Sequence, residues 1–339
     1  MSIMSKILII GAGLFGCAIG YELDKAGHEV TIIEKDSDIM MNASKLNHNR
    51  IHFGYHYPRS LDTARQSLDG LEYFTKHYSE SIVSSFPNHY MIADKNSNVS
   101  PLEYVRFCDK LKIKDSMLHL YNDYPSDNLI DKSHISYSIK VCEGVFDYHI
   151  LKKLVYKKID GLDLRLNTPY ESSDGYDYII NTSYSNVNKV NKELGVSELK
   201  LKFQDVVIPI FKMKSKPFGL TIMDGPFCSI MPKGNEENKF LLYNPKYSVL
   251  KESSENNFDN DNFDINTIYN ESAKYFPFLK DVEQDGYWRT IRALPINDDD
   301  SRVSEIFIDR NKSNVITILS GKINTCHKIG LDLVRMLEV

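Results

Sequence analysis

A glycine-rich turn near the start of the chain joins two short apolar runs. Residues 6–35 read KILIIGAGLFGCAIGYELDKAGHEVTIIEK. The pattern predicts, in order, a strand at 6–10, a turn with Gly11, Gly13 and Gly16, a helix to about Ala26, and a strand at 29–33. This succession is typical of the βαβ unit that binds a dinucleotide.

Each glycine of the turn has a separate physical reason. Gly11 permits the sharp exit from a buried strand, Gly13 lets the backbone approach a pyrophosphate, and Gly16 lets the helix pack closely on the strand. The first helical turn, with Leu14 and Phe15, offers free N–H groups at the positive end of the helix dipole. We therefore expect these five residues to bind the cofactor.

An acidic residue follows the second strand. Glu34 stands 23 residues after Gly11, where a carboxylate can accept both hydroxyls of an adenosine ribose and would repel a 2'-phosphate. NADP is therefore disfavoured, and Glu34 and the adjoining Lys35 are expected at the cofactor. A signal peptide with an apolar core at 7–20 is the alternative for this stretch. The charged residues that follow, Glu22, Asp24 and Lys25, argue against it.

Composition excludes several classes of function. The chain of 339 residues has a formal net charge of -5 and no block of Lys or Arg, so nucleic acid is not an expected partner. Beyond the glycine-rich start, no apolar run approaches the ~20 residues that span a bilayer. The five cysteines are scattered without metal-ligand spacing, which predicts reduced thiols, no metal site and a cytoplasmic location.

The rest of the chain predicts two domains of an α/β protein. Helical periodicity at 61–78 and 148–159, and a closing strand, turn and helix from residue 314, fit a discontinuous FAD-binding domain of residues 1–80, 141–198 and 285–339. Strand-like runs at 199–250 separated by turn residues suggest an antiparallel sheet. With residues 81–140, the segment 199–284 is assigned to a substrate-binding domain.

Residues 36–60 form an unusually long connection that contains His48, His52 and His56. Such a loop is more often functional than a short one. Its core, ASKLNHNRIHFGYHYP at 43–58, together with the glycine turn and the closing strand-turn-helix, resembles the D-amino-acid oxidase superfamily of FAD-dependent oxidoreductases. The loop is most similar to that of the L-2-hydroxyglutarate oxidases, although Lys45, His48 and Asn49 replace glycine or serine.

The resemblance implies a Rossmann-like FAD-binding domain of the glutathione-reductase type, with a parallel sheet, and a second domain with an antiparallel sheet. It implies FAD as the cofactor, with Ser44 and His52 beside the flavin. Arg292 corresponds to an arginine that often reaches the substrate's carboxylate. The turn SGKINT at 320–325 is similar to one whose N–H groups approach the flavin C2 carbonyl, so cofactor contacts are expected at Ser320, Gly321, Lys322 and Ile323. The segment 177–184 is similar to a strand of this family that leads to a glycine, and Tyr184 stands near where that glycine is usual.

His52 is the residue expected nearest the chemistry, because a neutral imidazole could take a hydroxyl proton while hydride leaves the same carbon. A structural histidine and a covalent flavin link are the alternatives. His56 and His48 are further candidates, and Tyr55 and Tyr57 could close the pocket. Arg292 would clamp a carboxylate or phosphate. Arg289, Arg50 and Arg59 compete for that role.

Three functions follow from these residues. The first is an FAD-dependent oxidase or dehydrogenase that takes hydride from a carbon bearing a hydroxyl or an amine in a small anionic substrate. A 2-hydroxy acid is favoured, an amino acid is second, and a sugar derivative is a third substrate class. The second function is a flavin-dependent isomerase resembling UDP-galactopyranose mutase. The third is a non-catalytic protein that senses NAD or FAD.

Overall fold

The computed structural model describes residues 4–112, 118–119, 122–259, 262–297 and 301–338. Within these residues the chain forms a six-stranded sheet, a nine-stranded sheet and a two-stranded pair. The outer parts of the predicted domain ranges, such as residues 1–3 and 339, lie outside the described residues.

The strands and helices are given in chain order. The strands are β1 (Lys6–Ile10), β2 (Glu29–Ile33), β3 (Ile82–Val83), β4 (Asn88–Ala93), β5 (Leu118–His119), β6 (Ile135–Val141), β7 (Val145–Phe146), β8 (Asp163–Arg165), β9 (Tyr178–Asn181), β10 (Leu201–Lys212), β11 (Gly219–Met223), β12 (Ser229–Pro232), β13 (Lys239–Tyr243), β14 (Val249–Ser253), β15 (Glu283–Pro295), β16 (Glu305–Ile308) and β17 (Val315–Leu319). The helices are α1 (Leu14–Lys25), α2 (Leu61–Tyr78), α3 (Pro101–Lys110), α4 (Tyr148–Lys158), α5 (Val187–Leu194), α6 (Pro245–Ser248), α7 (Ile265–Ser272) and α8 (Cys326–Leu337).

The six-stranded sheet has the order β16-β17-β9-β1-β2-β8, and all neighbours are parallel except β16 and β17. Its central strand, β1, is apolar at successive positions because both faces of the sheet are covered. Ile7 and Ile9 pack towards α1, α2, α4 and α8, whereas Leu8 and Ile10 pack towards α5. The predicted parallel sheet is confirmed.

The nine-stranded sheet has the order β14-β10-β13-β12-β11-β4-β6-β5, with β15 paired to β10. It is mixed rather than purely antiparallel, because β11 and β4 run parallel. The α/β class with a parallel sheet and a largely antiparallel second sheet is confirmed.

The strand β15 differs from its predicted place. Residues from 285 onward are predicted to belong to the FAD-binding domain, but β15 pairs with β10 along nearly its whole length, from Leu201 opposite Pro295 to Lys212 opposite Glu283. A strand joins whichever sheet offers a free edge of matching length, and β10 offers one of 12 residues. The division into two domains at the other boundaries stays a prediction.

No helix among the described residues is long and apolar enough to cross a membrane. Cys17, Cys108, Cys228 and Cys326 are buried free thiols, and Cys142 is exposed.

Candidate active site

The turn between β1 and α1 has the geometry that its glycines predict. Gly11 has a φ of +105°, in the region that favours glycine, and its N–H donates to the carbonyl of Ile33 at 2.8 Å. A Cβ placed on Gly16 would collide with the carbonyl oxygen of Gly11 and approach Thr182 Oγ1 to 2.8 Å. Gly16 therefore serves the packing of α1 on the sheet and does not itself line the cavity described below.

Ser44 caps helix α1 from outside the helix. Gly13 is the N-cap residue and has no side chain to offer, so the N–H of Leu14 donates instead to Ser44 Oγ at 3.0 Å. This bond ties residues 36–60 to the start of α1. The fold thus places Ser44 at the glycine turn, and its expected position beside the flavin stays a prediction.

Both carboxylate oxygens of Glu34 accept backbone hydrogen bonds. Oε2 accepts from the N–H of Ala12 at 2.8 Å, and Oε1 accepts from the N–H of Asp36 at 3.0 Å. These bonds hold the carboxylate at the end of β2 and beside the glycine turn. Lys35 lies next to it and pairs with Asp36 at 3.0 Å.

The turn between β17 and α8 differs from its predicted chemistry at one atom. The N–H of Gly321, expected to face a flavin carbonyl, donates to Ser304 Oγ at 2.8 Å. Ser304 also bonds Thr325 at 2.6 Å, so its hydroxyl is built into the turn. The adjoining Lys322 is buried, with Nζ 4.3 Å from the centre of the Tyr57 ring. The side chain of Lys322, rather than the N–H of Gly321, is therefore the positive group that this turn offers.

One cavity of about 580 Å³ joins these two turns. It opens at the carboxyl ends of the parallel strands, where α/β proteins bind their ligands. Every expected cofactor or substrate residue except Gly16 lines it: Gly11, Gly13, Leu14, Phe15, Glu34, Lys35, Ser44, His52, Arg292, Ser320, Gly321, Lys322 and Ile323. The two ends of the chain thus meet around a single space.

His52 lies in this cavity in its neutral form. Its Nδ1 atom is buried and has no hydrogen-bond partner among the described residues. Burial holds the pKa of His52 well below its ordinary value, and the nearby charge of Lys322 lowers it further. The backbone is held in place because Asn324 Nδ2 donates to the carbonyl of His52 at 2.9 Å. A neutral imidazole with an unused buried nitrogen can accept a proton or bind a ligand donor.

The other two histidines of the loop also line the cavity, but their ring nitrogens have protein partners. His48 Nε2 lies 3.0 Å from the carbonyl oxygen of Leu241, so this nitrogen carries the proton. Burial lowers the pKa of His48 to about 3. His56 Nδ1 lies 3.2 Å from Arg50 Nη1, and burial again lowers its pKa well below the ordinary value.

Arg50 is the centre of a buried polar network. Its guanidinium donates to the hydroxyl of Tyr90 and, at 2.8 Å, to Thr221 Oγ1. Glu143 lies 3.6 Å from Arg50 and accepts from Tyr90 and from the N–H of Phe53. Burial raises the pKa of Glu143, although Arg50 opposes this. A buried charge is stable only when it is paired and hydrogen-bonded in this way.

Arg292 reaches the cavity from β15 of the nine-stranded sheet. Its Nη2 donates to Gln204 Oε1 at 2.8 Å and to the hydroxyl of Tyr243 at 2.6 Å. Its buried Nε has no hydrogen-bond partner among the described residues. The guanidinium is therefore positioned by two neutral groups, Gln204 and Tyr243, while its Nε–H stays unused among the described residues.

The remaining candidates lie elsewhere. Arg289 pairs with Asp205 at 2.5 Å, and Arg59 pairs with Asp224. Neither arginine lines the cavity. Tyr55 and Tyr57 belong to the same hydrophobic cluster, but of the two only Tyr57 lines the cavity.

Sequence reasoning missed Glu143, Tyr90 and Thr221, which complete the network around Arg50. Glu143 stood in the apolar run KVCEGVF, where an isolated acidic residue signals a buried, paired charge. It also missed Arg302 and Tyr243, which line the cavity. Tyr184, which stands near where the family usually has glycine, has a φ of +51°. Glycine adopts this conformation more easily than tyrosine does.

Glu22, His77 and His327 come together outside the cavity, although the sequence spacing predicted no metal site. They lie on α1, α2 and α8, and His327 Nδ1 is 2.7 Å from Glu22 Oε1. The two imidazole rings stack with centres 3.8 Å apart and planes 12° apart. Because their lone pairs lie in separate, nearly parallel planes, one ion cannot bind both rings without reorienting them. In this arrangement the group is a hydrogen-bonded contact among three helices.

The sequence was compared with known families and proteins. Residues 6–119 match the family described as FAD dependent oxidoreductase, which confirms the predicted resemblance and the predicted cofactor. The FAD-dependent monooxygenase kojA of Aspergillus flavus is 25% identical over 271 residues, covering 72% of this chain and 63% of that protein. The FAD-dependent monooxygenase FPY4 of Fusarium mangiferae is 40% identical over 72 residues, covering 21% of this chain and 20% of that protein. The match thus spans less than two thirds of either relative.

The fold is similar to those of several solved structures along 99% of the chain. Glycine oxidase from Geobacillus kaustophilus has a TM-score of 0.74 at 15% identity, covering 99% of this chain and 95% of that one. L-proline dehydrogenase from P. horikoshii has a TM-score of 0.76 at 14% identity, covering 99% and 94%. L-alpha-glycerophosphate oxidase from Mycoplasma pneumoniae, solved with FAD bound, has a TM-score of 0.75 at 15% identity, covering 99% and 95%. The relatives are named as oxidases, dehydrogenases and monooxygenases, and none of these supports the mutase alternative.

Proposed function

Because residues 6–119 carry a domain of the FAD dependent oxidoreductase family, we propose that this protein takes hydride from a hydroxyl-bearing carbon of a small anionic substrate. The observation that carries the proposal is the single cavity in which the glycine turn after β1 and the neutral His52 meet. FAD, when bound, would supply the hydride acceptor.

The residues at the β1 end fit the nucleotide half of FAD. Gly13 leaves room for a diphosphate beside the start of α1, since the nearest atom to an added Cβ would be Ser44 Oγ at 3.6 Å. The carboxylate of Glu34 is held in place by two backbone N–H groups and keeps lone pairs for ribose hydroxyls. At the other end, Lys322 would face the flavin as a buried cation.

The charges that line the cavity favour an anionic substrate. Among the described residues that line it, the carboxylates are Glu34 and Glu193, which belong to the six-stranded sheet and its helices. Arg292, on β15 of the nine-stranded sheet, and Lys322, in the turn after β17, also line the cavity, and neither Glu34 nor Glu193 lies on the nine-stranded sheet. A carboxylate or phosphate is the group that these two cations would bind.

The same charges favour a hydroxy acid over an amino acid. A substrate ammonium would stand among cations without a lining carboxylate to pair with it, and a desolvated, unpaired charge is costly. A hydroxyl needs only a hydrogen-bond acceptor. The ring of His52 is neutral, and its buried Nδ1 has no partner among the described residues, so this imidazole is the group that would accept the hydroxyl proton as hydride leaves the carbon.

A spectrum and a reduction screen test the proposal. Purified protein should show a flavin spectrum, directly or after reconstitution with FAD, and 2-hydroxy acids should bleach it under argon. Amino acids and sugar nucleotides are the comparison substrates in the same screen. Protein that takes up no FAD, or flavin that no member of the three classes reduces, would refute the proposal. A spectrum taken after acid precipitation would reveal whether FAD is covalently attached.

A monooxygenase is a second candidate, because two relatives carry that name. In such an enzyme a nicotinamide nucleotide, rather than the substrate, would reduce the flavin. Anaerobic reduction by NADH or NADPH but not by any hydroxy acid would favour it. The cytoplasmic location stays a prediction in either case.

A further inference from the structure

The ring of His56 is oriented by a charged group that can only donate. Arg50 is 6% exposed, and its Nη1 lies 3.2 Å from His56 Nδ1. An arginine N–H cannot act as an acceptor, so His56 Nδ1 must be the acceptor in this contact. In the neutral ring the proton then resides on Nε2, at the other edge of an imidazole that lines the cavity.

Arg50 is itself held by groups outside the cavity. The hydroxyl of Tyr90 accepts from Arg50 and donates to Glu143, and Glu143 Oε2 accepts from the N–H of Phe53 at 2.9 Å. Thr221 Oγ1 accepts a second guanidinium N–H at 2.8 Å. These contacts connect β4, β11 and the segment before β7, so the sheet fixes the position of the guanidinium.

The two neighbouring histidines therefore offer opposite chemistry. Their ring centres are 5.5 Å apart. His56 has its acceptor nitrogen engaged by Arg50, which leaves an N–H donor. His52 has a buried Nδ1 without a partner among the described residues, which can accept.

We propose that Arg50 and Glu143 are positioning residues that hold His56 as an Nε2–H donor for the substrate's carboxylate, while His52 accepts the hydroxyl proton. The assignment rests on the proposed function and extends it to a 2-hydroxy acid held by two donors, His56 and Arg292. No proton needs to leave His56, because it binds the carboxylate in its neutral form.

The tautomer of His56 can be measured without turnover. Protein labelled with ¹⁵N-histidine and loaded with FAD should give, for His56, the nitrogen shifts of a neutral ring protonated at Nε2, with the assignment made from the variant His56→Gln. In Arg50→Met we expect the ring to lose its single tautomer and to become protonated at a higher pH, because both the donor and the charge are removed. Arg50→Lys, which keeps a donor and the charge, should restore part of the wild-type behaviour.

Acetate and L-lactate serve as the carboxylate probes in the same spectra. Either probe should shift the Nε2–H signal of His56 in the wild type, and its apparent affinity should fall about 10-fold in Arg50→Met, the loss expected for one charge-assisted hydrogen bond. A Glu143→Gln variant keeps an acceptor for Phe53 but loses the negative charge, so it should move the pH at which His56 titrates even if its stability is unchanged.

An unchanged His56 tautomer and titration in Arg50→Met would overturn the positioning role. Probe binding that leaves the Nε2–H signal unmoved would overturn the donor role. Both results are independent of flavin reduction. If the tautomer follows Arg50 and the probes shift His56 while no hydroxy acid reduces the flavin, the proposed function fails and the carboxylate site remains.

Discussion

The Oε2 atom of Glu34 accepts a hydrogen bond of 2.8 Å from the backbone N–H of Ala12. This bond joins the acidic end of β2 to the glycine turn at the end of β1. The residue that would bind the ribose and the turn that would bind the diphosphate are thereby held as one unit. Bonds within the protein would thus set the position of the cofactor's nucleotide half.

Replacing Glu34 by glutamine should weaken FAD binding ~10- to ~100-fold, since hydrogen bonds to a charged group contribute about 1.5–3 kcal/mol. An amide also presents an NH₂ group towards one of the two backbone donors. Titration of apoprotein with FAD, followed by flavin fluorescence, measures the change. Glu29→Gln is the matched control, because Glu29 begins the same strand and is exposed. Equal dissociation constants for the two variants would contradict the assignment of Glu34.

Gly16→Ala and Gly13→Ala should separate packing from cofactor binding. A Cβ at Gly16 collides with the backbone of Gly11, so we expect a loss of roughly 1–3 kcal/mol in the free energy of unfolding. A Cβ at Gly13 meets no atom closer than 3.6 Å, so the apoprotein should keep its stability while its affinity for FAD falls. Denaturant unfolding and FAD titration of both variants test this. A Gly13→Ala protein with wild-type affinity would argue against a diphosphate at this turn.

Lys322→Met should lower the reduction potential of the bound flavin. A buried cation stabilises the negative charge of the reduced cofactor, and ~1.4 kcal/mol corresponds to about 30 mV for a two-electron couple. Lys322→Arg keeps the charge and should change the potential less. Dye-equilibrated redox titration measures the difference. Identical potentials in the methionine and arginine variants would place Lys322 away from the flavin.

The buried histidines predict that the protein loses stability in acid. The unfolded chain protonates His48 near pH 6.5, whereas burial delays protonation in the folded protein to about pH 3. Because the unfolded state binds the extra proton, the free energy of unfolding falls as the pH drops below 6.5, by ~1.4 kcal/mol per pH unit for each such group. The pKa values of His52 and His56 are lowered in the same direction.

His48→Gln tests this linkage, because glutamine can still donate to the carbonyl of Leu241 but does not titrate. Urea unfolding at pH 6 and pH 5 should show a dependence on pH that is smaller by roughly 1.4 kcal/mol per pH unit than in the wild type. A wild-type slope in His48→Gln would mean that this ring is protonated in the folded protein.

Arg292→Lys should raise the KM for the substrate by ~10-fold or more, since lysine cannot form a two-pronged contact with a carboxylate. Its bonds to Gln204 and Tyr243 position the guanidinium, and a lysine would satisfy only part of them. Arg289→Lys is the control on the same strand, at a residue that pairs with Asp205 and does not line the cavity. Steady-state kinetics with the best hydroxy acid measures both. An unchanged KM in Arg292→Lys would remove Arg292 from the substrate site.

The sequence alone determined the part of this protein that is expected to bind the nucleotide half of FAD. The strand at 6–10, the glycine turn, the helix α1 and the strand ending before Glu34 are adjacent in the chain. The spacing of their apolar residues, the backbone conformation of Gly11 and the distance of Glu34 from the turn each depend on residues that are close in sequence. Such local properties can be read from the order of the residues. The helix at 61–78 followed from periodicity for the same reason, with the same bounds in the structure.

Only the tertiary structure decided the rest of the candidate site. Arg50, Tyr90, Glu143 and Thr221 come from four separate segments, and no spacing links them. The pairing of β15 with β10, which carries Arg292 to the cavity, depended on which sheet had a free edge. The N–H of Gly321 donates to Ser304, a residue 17 positions earlier in the chain that only the folded structure brings beside it. Contacts between distant segments arise from packing, and packing is a property of the folded chain as a whole.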